Sequence, residues 1–158
     1  MGALTISACA TSNGPPPGLL ENADYGPPPT EAEFFRVAEE EIRNSLIDPD
    51  SGRFDWPNPI VRGYWPETGY SRAGYFGYFT CGRINARNRM GGYTGRKPFA
   101  VVYRYGRILY SNIADSTYGD IAMLCASTQW EQNFSWTEEA ETQSDPALKP
   151  TNDITGQD

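Results

Sequence analysis

From Thr30 onward the apolar positions of the chain fall into two alternating periods that predict its elements. Phe34, Phe35, Ala38, Ile42, Ser45 and Leu46 recur at three- and four-residue spacing, while Arg36, Glu39, Glu40 and Arg43 occupy the remaining positions. This is the pattern of a helix packed by one face. Thr30-Glu-Ala-Glu33 supplies a capping box at its start, the Thr side chain accepting from the Glu33 backbone while Glu33 reaches back. The helix should stop near Ile47, because Pro49 disfavours helical geometry at Asp48, and Asp48-Pro-Asp-Ser-Gly52 then makes a turn. Tyr75 to Ala86 is the strongest strand, with bends expected at Gly77 and Gly82. Phe99 to Tyr103 and Arg107 to Ile113 are two more strands, joined at Tyr105-Gly106, where glycine supplies the positive φ of a tight hairpin. Residues 53–74 read as loop, with one edge strand around Ile60 to Trp65. Asp115 or Ser116 is expected to cap a short helix carrying Ile121, Leu124 and Cys125.

These elements predict an α+β domain: one N-terminal helix packed on a three- to four-stranded antiparallel sheet, a short second helix, and extended tails. A chain of 158 residues has room for one core rather than two. The domain is expected over residues 30–127. Residues 1–29 read as a lipobox-like segment and a tether, with Pro-Pro-Pro at 15–17 and 27–29 excluding helix and central strand. Residues 128–158 read as an acidic, extended tail, in which Trp130, Phe134 and Trp136 stand isolated as anchors for a partner groove.

Charge changes this picture. The net −7 conceals three blocks: −7 over residues 1–61, +8 over 62–107 and −8 over 108–158. Either the flanks neutralise the middle, for instance through Glu39, Glu40 or Glu41, or the middle meets an acidic partner. The chain has no histidine, which excludes Ser-His-Asp and Cys-His catalysis, His-dependent metal sites and a His-based pH switch. Asp48, Asp50 and Asp55 lack the glycine and closing glutamate of an EF-hand loop, and no phosphate-binding loop motif is present. No metal, cofactor or catalytic residue is expected. The acidic total charge opposes nucleic-acid binding. Trp56, Tyr64, Trp65 and Tyr70, spaced between prolines, read as packing rather than as a sugar platform.

Cysteine usage adds a compartment. The small and apolar residues before Cys9 resemble the end of a bacterial lipoprotein signal, with Cys9 as the lipid acceptor and a Pro/Gly-rich tether after it. Cys81 and Cys125 then remain as an even pair, expected to form one disulfide in an exported domain, the alternative being two buried thiols.

Residues 81–99 carry the most specific pattern: Cys81, Gly82, Ile84, Asn85, Ala86, Asn88, Gly91, Gly92, Tyr93, Gly95 and Phe99, following a helix that ends in Asp48-Pro49-x-Ser51. Over residues 31–125 this resembles a group of small exported bacterial proteins, many of them lipoproteins, to which no activity is attached. The resemblance implies an envelope location and a shared fold. Strand alternation puts Cys81, Arg83, Asn85 and Arg87 on one face and Ile84 and Ala86 on the other. Arg83, Arg87, Arg89, Arg96 and Lys97 crowd into fifteen residues, and guanidinium forks suit carboxylate and phosphate groups. Arg83, Asn85, Arg87, Asn88, Arg89, Tyr93 and Arg96 are therefore the candidate anion- or partner-binding set. The competing reading has Asn85 and Asn88 bonding the loop backbone and the glycines serving turn geometry.

Together these readings lead to the expectation of a non-catalytic binding or structural protein of the cell envelope, extracytoplasmic, periplasmic or attached to the outer membrane. It would be an accessory subunit among other envelope proteins, held at a membrane surface through Cys9. The alternatives are an anion- or acidic-polymer-binding module built on residues 83–97, and an inhibitor of a wall-degrading enzyme.

Overall fold

The structure is a computed structural model, which describes residues 18–19, 22–67, 74–115, 119–131 and 134. Cys9, Tyr70, Ser116 and Trp136 lie outside the described residues. Helix α1 (Glu31–Asn44) is followed by a 3-10 turn (Pro49–Ser51), strands β1 (Arg53–Asp55), β2 (Val61–Pro66), β3 (Gly74–Asn85), β4 (Lys97–Arg104) and β5 (Arg107–Ile113), and helix α2 (Asp120–Ser127). The five strands form one antiparallel sheet in the order β1-β3-β4-β5, with β2 also paired to β3. This is the predicted α+β fold, with β1 as an additional strand in a stretch that reads as loop.

Phe99, Ala100, Val101, Val102 and Tyr103 of β4 are all buried, so both faces of the sheet are covered. On one face Tyr78, Ile84, Phe99, Val101 and Tyr103 pack with Phe34, Ala38 and Ile42 of α1. On the other, Phe79, Cys81, Ala100 and Val102 pack with Val61, Trp65, Ala114 and Ile121 of α2. The alternation is that of a pleated strand, and burying side chains of this size contributes about 1.5–3 kcal/mol apiece. The Cys81–Cys125 disulfide, with Cα atoms 5.9 Å apart, ties α2 to β3 across the second face.

Half of the predicted capping box forms. The Thr30 hydroxyl accepts from Glu33 N at 3.1 Å, but the Glu33 carboxylate accepts from Tyr103 Oη at 2.6 Å instead of reaching back. A buried phenol requires an acceptor, and Glu33 is the one α1 supplies. Burial, followed by the Glu33 hydrogen bond, holds the Tyr103 hydroxyl far above its ordinary pKa. The second helix departs further from expectation: it is capped by Gly119 without a side-chain hydrogen bond, not by Asp115.

β1 and β2 share one edge of β3 and leave its residues 80–82 unpaired on that side. Asn58 fills the gap. Its carbonyl accepts from Thr80 Oγ1 at 3.1 Å, and its Nδ2 donates to the Cys81 carbonyl at 3.0 Å. Because Pro57 and Pro59 on either side lack N–H donors, the strand ladder cannot continue there.

Part of each expected tail packs on the domain. Tyr25 stands edge-on to Phe76 at 5.6 Å, the Asp24 carbonyl accepts from Arg104 at 2.9 Å, and Pro29 is buried. Trp130 packs against the α2-side core and Phe134 against Tyr78 at 4.9 Å. These two aromatics are thus engaged by their own domain, where the sequence reading had them anchoring a partner.

The hairpin from β4 to β5 turns through Tyr105 (φ 52°) and Gly106 (φ 77°), both left-handed as a type I′ turn requires. Gly77 and Gly82 interrupt neither register of β3, which pairs with β2 from Gly74 to Phe79 and with β4 from Tyr78 to Ile84. They admit close neighbours: a Cβ at Gly77 would lie 2.5 Å from the Tyr103 carbonyl, and one at Gly82 would collide with the Phe99 ring.

Gly82→Ala is therefore expected to destabilise the fold by about 1–3 kcal/mol through overpacking, measured by urea denaturation. Replacing both Cys81 and Cys125 by Ser is expected to cost about 2–4 kcal/mol. An unchanged denaturation midpoint in the double variant would show that the cross-link contributes nothing to α2 packing.

Candidate functional site

Arg83 follows the last buried residue on the α2 face of β3. It lies opposite Asp55 of β1 and Pro98 of β4, and it is exposed. Beside it the disulfide, α2 and Trp130 form a wall. Between wall and sheet is an open cleft of about 580 Å³, lined by Arg83, Arg96, Asn58, Pro57, Pro98 and Trp130, with both half-cystines in its surface. Asn58 is held by its own Nδ2 bond to the Cys81 carbonyl. The Trp130 indole is fixed by donating to the Cys125 carbonyl at 3.0 Å.

The arginines are only partly neutralised. Arg96 NH1 lies 3.7 Å from Asp55 Oδ2, and Arg87 NH1 lies 3.8 Å from Asp48 Oδ2. Both pairs are solvent-exposed and contribute little to stability. Arg83 and Arg89 make no ion pair among the described residues. Glu39, Glu40 and Glu41 do not serve the basic segment: Glu39 pairs with Arg43, Glu40 with Arg36, and Glu41 accepts from Ser111. The acids that do serve it come from the turn before β1 and from β1 itself.

The β3–β4 loop is a built object. Asn88 Oδ1 accepts from Met90 N at 2.9 Å and Gly92 N at 3.1 Å, Asn85 Oδ1 accepts from Gly95 N at 3.1 Å, and Thr94 N donates to the Ala86 carbonyl. Gly91 and Gly95 sit at φ 80° and 88°, a region that side-chain-bearing residues rarely enter. Arg87 bridges to Tyr93 across the loop, and the Tyr93 ring is flanked by the guanidinium groups of Arg53 at 4.5 Å and Arg87 at 5.4 Å. Met90 and Arg89 project at the exposed tip.

The seven candidate residues therefore divide by task. Arg83 and Arg96 line the cleft, Arg87 and Tyr93 belong to the stack, Asn85 and Asn88 hold the loop, and Arg89 stands at its tip. Sequence reasoning missed Asn58 and the place of Trp130 in the cleft. For Asn58 the available signal was its position between two prolines. Trp65 is buried and Trp56 sits between Phe35 and Phe99, in keeping with packing roles for both. Among the described residues no cluster of three or more Cys, Asp or Glu is arranged to hold a metal ion, and no helix is long and apolar enough to cross a membrane. No protein-family model, curated protein or solved structure matches this chain.

The loop bonds give a direct expectation. Asn88→Ala should speed amide exchange at Met90 and Gly92 by about tenfold or more, since it removes their shared acceptor, with little change in the melting midpoint. Unchanged exchange at both amides would mean that the loop holds its shape without Asn88.

Proposed function

We propose that this domain is a non-catalytic binding module of the cell envelope that takes an anionic group of its partner in the Arg83–Arg96 cleft. The observation that carries the reading is Arg83 itself, exposed at the cleft and unpaired within the described residues. A guanidinium so placed offers a planar fork to a carboxylate or phosphate. Arg89 at the loop tip and the exposed Arg87 and Arg96 extend the positive surface, which favours encounter with an acidic partner. The disulfide supports an oxidising, extracytoplasmic compartment, in line with lipid attachment at Cys9. Engagement of Trp130 and Phe134 by the domain core makes the arginine surface, rather than these two aromatics, the better-supported contact with other envelope components.

Binding to poly-L-glutamate, followed by isothermal titration at two salt concentrations, tests this reading. Affinity should fall steeply with salt and drop by about tenfold or more in Arg83→Ala, the loss expected when one charge-assisted contact is removed. Binding that is indifferent to both salt and Arg83 would overturn it.

A further inference from the structure

The cleft has a chemical character more specific than positive charge. Resting on the anion-binding reading above, we propose that its ligand is a carboxylate-bearing sugar of an acidic polysaccharide, seated with its carboxylate on Arg83 and Arg96 and its ring against Trp130.

Charge sets the first limit. Arg83 and Arg96 supply two positive charges, and Asp55 lies within the same cluster, opposite Arg83 in the strand register and 3.7 Å from Arg96. The local balance is one net positive charge, which matches a monoanion. A phosphate monoester carries close to two negative charges near neutral pH and would leave one of them facing Asp55 uncompensated.

The walls set the second limit. Pro57, Pro98 and the half-buried Trp130 line the cleft with apolar surface. An indole ring offers a flat apolar face to C–H groups, which a pyranose ring presents and a bare inorganic anion does not. Stacking of a nucleobase would use the same face, but it would bring a phosphodiester rather than a carboxylate to the arginines, the alternative that the phosphodiester probe below tests.

Hydrogen-bond polarity sets the third limit. Asn58 has one amide hydrogen bond engaged with the Cys81 carbonyl, and its Oδ1 accepts from no donor among the described residues. An amide oxygen at the cleft wall can accept from a ligand that carries a hydroxyl or N–H. A hydroxylated, singly charged ring with one apolar face satisfies all three conditions. The volume, about 580 Å³, falls within the range of small-ligand sites, ~300–1,000 Å³.

Four probes separate this proposal from its neighbours when titrated into the full chain: trigalacturonate, neutral galactotriose, glycerophosphoglycerol as a phosphodiester, and inorganic phosphate. Trigalacturonate is expected to bind, to transfer saturation from the Trp130 ring to its sugar protons, and to lose about tenfold or more in affinity in Arg83→Ala. Galactotriose and glycerophosphoglycerol should bind at least about tenfold more weakly than trigalacturonate. Asp55→Asn raises the cleft charge by one and should improve phosphate binding more than trigalacturonate binding. Arg83→Lys, which keeps the charge and loses the fork, should weaken trigalacturonate while leaving the melting midpoint in place. Equal binding of galactotriose and trigalacturonate would overturn the role of charge. Tighter binding of glycerophosphoglycerol or phosphate than of trigalacturonate would overturn the sugar assignment and leave the anion-binding reading standing. Failure of all four together with poly-L-glutamate would remove both.

Discussion

The structure depends on one constraint: Phe99 to Tyr103 of β4 is apolar on both faces and must be covered on both. One cover is strong. Helix α1 is fourteen residues long, amphipathic and capped, and its apolar stripe meets the sheet directly. The other cover is weak, since α2 has eight residues, no side-chain cap and one fully buried residue, Ile121. Trp130 adds packing beside it, and the covalent link from Cys125 to Cys81 holds it in place. The asymmetry of the two covers explains why the cross-link lies on the α2 side, where the cleft of about 580 Å³ opens, against about 330 Å³ for the cavity beside Glu31 and Phe35 of α1.

The same asymmetry organises the charge. Four of the five acids of α1 are engaged away from the basic segment, Glu39 and Glu40 by helix arginines, Glu41 by Ser111 and Glu33 by Tyr103. The basic segment is left with Asp48 and Asp55, one from the turn before β1 and one from its end. Because both of these pairs are exposed, they trim the positive field without removing it. Among the described residues the basic segment thus forms an incompletely balanced patch at one end of the sheet.

Much of the fold was legible because its signals are local. The periodicity of α1, the apolar runs of β3 to β5 and the Tyr105-Gly106 turn each depend on neighbours in sequence, and each was found within a few residues of its place. β1 was missed because three residues between Gly52 and Trp56 carry no period. The start of α2 was misplaced because it depends on docking rather than on a capping side chain. The site divides in the same way. The competing uses of Asn85 and Asn88 could be stated from sequence, but only the loop hydrogen bonds decide for the backbone. That Arg83 and Arg96 share a cleft with Trp130 follows from the β3–β4 pairing and from a long-range cross-link, neither of which leaves a local trace. The partners of the arginines were assigned to the wrong acids because nearness in three dimensions, set by the β1–β3 register, outweighs the density of acids along α1.

The half-cystines in the cleft surface have a consequence of a different kind. One wall of the cleft is built from α2 and the segment after it, and that wall is fastened to the floor by a bond that exists only after oxidation. If ligands bind where we propose, they prefer the oxidised molecule, and by thermodynamic reciprocity a bound ligand must make the Cys81–Cys125 bond harder to reduce. A reduced chain, with that wall no longer fastened, would then hold the same ligand less tightly.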